Sequence, residues 1–180
     1  MSIAPHRWSP GENPLVTPAP LPFFVYGTLR PGEVNHAVHL SGRTLTEEPA
    51  RLTGAVLYDG PGYPYAVEAP GGPIYGDLVT VAPEYYAAAL TELDLLEEYR
   101  ADDPDSRYLR VAREVVRERG SQVVRAWVYL TGPRLADRLR ATGDLIPGGD
   151  WLTRHRPDGV SITRSHPPAR FSPTPPPNPA

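Results

Sequence analysis

Short apolar runs with the two-residue repeat of strands dominate the chain, and they are interrupted by Ala- and Leu-rich stretches with helical spacing. The first run, Phe23 to Tyr26, breaks at Gly27 into the turn-forming stretch GTLRPG, followed by a short helix around NHAVHL. ARLTGAVLYDG (50–60), YPYAVEA (63–69) and IYGDLVTV (74–81) are β-rich and divided by the turns PGYP and PGGP, which predicts consecutive antiparallel strands. YLRVAREVVRER (108–119) and SQVVRAWVYLTG (121–132) flank Gly120-Ser121 and predict a long hairpin.

PEYYAAALTELDLLEEY, 83–99, is the strongest helix, with Pro83 suited to the first turn and good helix formers behind it. A shorter helix is expected in PRLADRLRA, and GDWL follows at 149–152. Strands in mixed order with segregated helices predict a small α+β fold: a mixed or antiparallel β-barrel with flanking helices.

Proline marks the ends. Of 24 prolines, six fall in residues 1–22 and eight in residues 157–180. Segments of this composition bury too little apolar surface to offset chain entropy. The expected organisation is a disordered tail over 1–21, one folded domain over 22–155 and a second disordered tail over 156–180.

Charge and composition then remove whole classes of function. A formal charge of −3 with dispersed arginines offers no field for a nucleic-acid backbone. The absence of cysteine removes disulfides and thiolate chemistry and favours a cytoplasmic location. No run is long and apolar enough to predict a membrane span. Neither a phosphate-loop GxxxxGK[ST], a GxSxG setting for Ser41 or Ser121, nor a dinucleotide fingerprint is present. His36 and His39 could share a helix face, but no further ligand joins them. Neither a metal nor a cofactor is expected, and oligomeric state is unreadable.

Two features remain that could carry chemistry. A strand ending at Gly27 and turning towards a helix leaves backbone N–H groups that can meet an anion; an ordinary turn, with glycine relieving strain, is the alternative. In the long helix, Tyr86, Leu90, Leu93 and Glu97 lie on one stripe, so an apolar face ends in a carboxylate. Asp94 and Glu98 fall on the neighbouring face, where solvent is expected. Burial would raise the pKa of Glu97 towards neutrality; fraying into water, or pairing with Arg100, is the alternative.

Taken together, VYGTLRPG, GYP (62–64), IYGDL (74–78), LDLLEEY (93–99), YLR (108–110), WVYL (127–130) and GDWL resemble the gamma-glutamylcyclotransferase-like family. FVYGTLRPGEVNH is most similar to its gamma-glutamylamine cyclotransferase branch, and GDWL to its bacterial members. The resemblance implies a cofactor-independent enzyme that releases 5-oxoproline and a free amine from a gamma-glutamyl amide. It implies that Tyr26, Gly27, Thr28 and Leu29 bind the glutamyl moiety and that Glu97 is the general acid/base. Tyr63 and Tyr108 are lesser candidates for lining the pocket. The family commonly has glycine after the catalytic glutamate, where this chain has Glu98. The competing expectation is a noncatalytic module of the same fold that binds gamma-glutamyl compounds.

Overall fold

The computed structural model describes residues 19–101, 103 and 105–154. The proline-rich ends, and the expectations placed on them, lie outside the described residues. The order of elements is β1 (Phe23–Val25), α1 (Val34–His39), β2 (Thr44–Leu52), β3 (Ala55–Tyr58), β4 (Tyr65–Glu68), β5 (Ile74–Val81), α2 (Pro83–Leu96), β6 (Tyr108–Arg117), β7 (Val123–Thr131) and α3 (Pro133–Thr142). Two short 3-10 turns follow, Pro147–Gly149 and Trp151–Thr153. Among the described residues no helix is long and apolar enough to cross a membrane.

Five strands close into a barrel in the order β1-β5-β2-β6-β7, and β3 pairs with β4 in a separate hairpin. β1 closes the ring, running antiparallel to β5 (Phe24 opposite Leu78) and parallel to β7 (Phe23 opposite Trp127). Side chains alternate across the wall as a pleat requires. Phe24, Leu78, Ala126, Val128 and Leu130 fill the interior with Trp151, while Phe23, Val25 and Val79 face a second layer containing Ala89 and Leu93 of α2. The expected β6–β7 hairpin forms, and both Gly120 and Ser121 take the left-handed backbone that such a turn favours.

Two expectations about the strands need correction. The run 50–60 is not one strand: the chain breaks at Gly54, where φ is +78°, and β2 stays in the barrel while β3 leaves for the hairpin. The strands are also not laid down consecutively, because β5 pairs with β1 and β2 rather than β4. β2 begins in the polar stretch TLTEEP, which carries no apolar alternation. Its positions there are mostly exposed, so its place follows from pairing with β5 rather than from burial.

Arg30 ties the loop after β1 to the rest. Its guanidinium donates to Asp77 of β5 and to Asp150 of GDWL, each at 2.7 Å. Asp150 also accepts from the Leu152 N–H at 3.0 Å, so one carboxylate holds both the loop and the turn that seats Trp151. With side-chain exposures of 10% for Arg30, 14% for Asp77 and 25% for Asp150, these pairs are shielded from water. Removing the cation strands two carboxylates. Arg30→Met is expected to destabilise the fold by roughly 3 kcal/mol in urea unfolding, and a loss below about 0.5 kcal/mol would show that the ion pairs hold nothing in place.

Candidate active site

The loop that follows β1 bends tightly. The Arg30 N–H returns to the Gly27 carbonyl at 3.0 Å, and the Thr28 carbonyl accepts from the Asn35 and His36 N–H groups at the start of α1. Asn35 Nδ2 also donates to Thr28 Oγ1 at 2.8 Å. In a trans peptide the N–H points away from the preceding carbonyl. With the carbonyls of Gly27 and Thr28 engaged, the N–H groups of Thr28 and Leu29 face the opposite side, and among the described residues no hydrogen bond occupies them. Gly27 is required by close approach: a Cβ there would lie 2.7 Å from the ring of Pro64.

This loop borders a cavity of about 300 Å³, which brings together Tyr26, Gly27, Thr28, Leu29 and Glu97. Tyr63 and Tyr108 line it as well. Helix α2 ends at Leu96, so Glu97 is its C-cap rather than part of its last turn; its N–H still bonds to the Leu93 carbonyl at 2.9 Å. The inward stripe forms, with Leu93 buried and Tyr86 and Leu90 half-buried against the barrel.

Glu97 sits among hydroxyls whose donors are engaged elsewhere. The Tyr26 hydroxyl donates to the Tyr129 carbonyl at 2.5 Å, that of Tyr108 to the Pro64 carbonyl at 3.2 Å, and that of Tyr129 to Asp94 at 2.7 Å. Burial pushes the Glu97 carboxyl up to about 7, against a smaller opposing pull from Arg107. Its remaining exposure is that of a residue lining a cavity wall. Burial likewise raises the Tyr26, Tyr108 and Tyr129 hydroxyls, so they stay neutral around it.

Glu98 is exposed as its helix face suggests, but Asp94 is not in open solvent. Asp94 is half-buried, bonded to Arg110 at 2.8 Å and to Tyr129, and so fixes one wall of the cavity. Glu98 reaches the cavity rim and pairs with Arg107 at 3.0 Å. The Glu97–Arg100 pair does not form; Arg100 lies 4.0 Å from Asp103. His36 and His39 face separate carboxylates, Glu47 at 2.7 Å and Glu92 at 3.3 Å. Among the described residues no three His, Cys, Asp or Glu gather as a metal site.

Glu98 has a φ of +50°, and the bonds Glu98 N–H to Leu95 carbonyl and Tyr99 N–H to Asp94 carbonyl form a Schellman cap around it. That backbone favours glycine, which gives a physical reason for glycine at this position.

Arg107 was not legible from the sequence, having no periodic context. Its guanidinium lies over the rings of Tyr63 and Tyr65 and donates to both hydroxyls. The signal that could have found this cluster is the i, i+2 aromatic pair in YPY, which leads into β4 and in an extended segment puts both rings on one side.

The family model described as gamma-glutamyl cyclotransferase, AIG2-like, matches residues 23–153. The chain belongs to that family. Among solved structures, a solution structure of an Arabidopsis thaliana protein is 29% identical over 69% of this chain and 68% of that one, with a TM-score of 0.51. YkqA from Bacillus subtilis is 25% identical over 73% of this chain and 39% of that longer one, with a TM-score of 0.50. An AIG2-like protein from Mus musculus is 27% identical over 62% and 76% of the two chains, with a TM-score of 0.47. Among curated proteins none matches significantly.

A carboxyl whose folded pKa lies above its unfolded value loses stability as pH rises through that interval. The wild type should therefore lose stability relative to Glu97→Gln between pH 4.5 and about 7, by about 2 kcal/mol, and urea unfolding at both ends of that range would sink the claim if the difference stayed constant. Glu98→Gly should stabilise the fold by about 1 kcal/mol by removing left-handed strain. The exposed ion pair with Arg107 that it forfeits offsets less than that. A lower urea midpoint for this variant would contradict it.

Proposed function

We propose that the protein is a cyclotransferase that converts a gamma-glutamyl amide into 5-oxoproline and a free amine. The observation that carries this reading is a carboxyl raised to about 7 by burial, lining one cavity with Thr28 and Leu29, whose N–H groups have no hydrogen-bond partner among the described residues. A group that titrates at neutrality can take a proton and return it within one turnover.

In this reading the substrate's α-carboxylate meets the N–H groups of Thr28 and Leu29, with Tyr26 and Gly27 forming the wall beside it. Holding that end folds the glutamyl chain so that the α-nitrogen approaches its own γ-carbonyl, and ring closure gains the advantage of an intramolecular attack. Glu97, as carboxylate, accepts a proton from the α-ammonium. The freed amine forms a bond to the carbonyl carbon, the carbon–nitrogen bond of the amide breaks, and Glu97 gives that proton to the departing nitrogen; the second proton of the ring nitrogen passes through Glu97 in the same way, so the amine leaves as an ammonium ion. Atoms balance without water or a redox partner.

The neutral tyrosines add no charge beside Glu97, and burial outweighs the pull of Arg107, so the carboxyl is not held permanently ionised. The activity should therefore depend on pH in a defined direction. Because the ionised carboxylate starts the reaction, kcat/KM should rise with pH through about 7. Glu97→Gln keeps the shape of the side chain but cannot carry a proton, and should lower turnover by about 10²- to 10⁴-fold in a 5-oxoproline release assay while substrate binding persists in calorimetry. Retained turnover would refute the assignment. Binding of gamma-glutamyl amides by a wild type that never releases 5-oxoproline would instead establish the noncatalytic module.

A further inference from the structure

Arg107 and Glu98 belong to two cavities at once. They line the one that holds Glu97, and they line a neighbouring cleft of about 410 Å³ whose other walls include Asp105, Arg134 and Arg138. The wall the two share thus contains a guanidinium and a carboxylate bonded to each other at 3.0 Å.

The partners in that pair are held very differently. Arg107 lies against the rings of Tyr63 and Tyr65, 5.1 and 5.8 Å from their centroids, and its Nη2 donates to the Tyr65 hydroxyl at 2.8 Å and to that of Tyr63. Tyr65 in turn stacks on Tyr108, so the cage is packed into the cavity wall. Glu98 is 63% exposed and sits on left-handed backbone. The cation is fixed and its counter-ion is loosely held. Only Nη1 of the fork faces Glu98, so a planar carboxylate arriving from the cavity can replace it without disturbing the tyrosines.

Resting on the cyclotransferase reading, we infer that Arg107 determines specificity by seating a carboxylate carried on the leaving amine. The amine released is then an amino acid or peptide bound through its carboxylate, rather than a neutral or cationic amine. Glu98 acts as the resting counter-ion, displaced towards the cleft that holds Arg134 and Arg138. The chemistry at Glu97 is unchanged: the same amide bond breaks, and the proton goes to the same nitrogen.

The test compares gamma-glutamyl-alanine with its neutral isostere gamma-glutamyl-alaninamide, reading both kcat/KM from 5-oxoproline release and Kd from calorimetry. The wild type should favour the acid by about 10- to 100-fold, the range of a charge-assisted hydrogen bond, mostly through KM. Arg107→Gln should bring the ratio close to one, Arg107→Lys should restore part of it, and Glu98→Gln should enlarge it. A wild-type ratio within about threefold of one, or a ratio that Arg107→Gln leaves intact, would overturn the inference while leaving the cyclotransferase reading in place. A preference for gamma-glutamyl-cadaverine, with its distal ammonium, would also overturn it and make Glu98 the reader. If no compound released 5-oxoproline, the cyclotransferase reading would fail; the ratio of Kd values, and its response to Arg107→Gln, would still decide whether Arg107 seats a carboxylate.

Discussion

A carboxyl kept out of water without a counter-ion of its own is what the rest of this structure is arranged around. Glu97 stands at the C-terminal end of α2, where the backbone carbonyls already present partial negative charge, so helix and burial both disfavour its ionised form. Nothing about the helix alone would keep it there. The Schellman cap halts α2 at Leu96, the stripe of Ala89 and Leu93 anchors the helix against the barrel, and Asp94 clamps its last turn to Arg110 and Tyr129. Together these contacts hold Glu97 in the cavity and offset the cost of burying its carboxyl.

The second half of the site has a different origin. The loop after β1 lies where it does because β1 closes the barrel, and because Arg30 pulls that loop down onto Asp77 and Asp150. Loop and helix approach one cavity from separate elements, with Pro64 pressed against Gly27 between them. One element supplies backbone donors and the other a titratable acid, and the relative position of the two depends on barrel closure.

What the sequence made legible follows from which forces leave a periodic trace. The inward stripe of α2 and the β6–β7 hairpin are local patterns of burial and turn chemistry, and both could be read directly. β2 could not, since TLTEEP is mostly exposed and its pairing partner lies beyond an inserted hairpin. A simple helical wheel places Asp94 in water because it allows one buried face. Here the flank of α2 also meets polar groups from β6 and β7, which bury a carboxylate by bonding it. Arg107 and its tyrosine cage arise from three-dimensional convergence of two strand regions, and only the spacing of Tyr63 and Tyr65 hinted at them.

β1 is three residues long, yet its ladder partners are Leu78 on one side and Trp127 on the other. So short a strand cannot hold its place on local contacts; it needs both neighbours, and both lie far along the chain. During synthesis, the loop at Gly27 emerges early but has no barrel edge to complete until β7 has left the ribosome. The loop at Gly27 thus precedes in sequence both strands that hold β1 in place, and a fragment that stops short of Trp127 lacks the β7 partner that closes the barrel beside it.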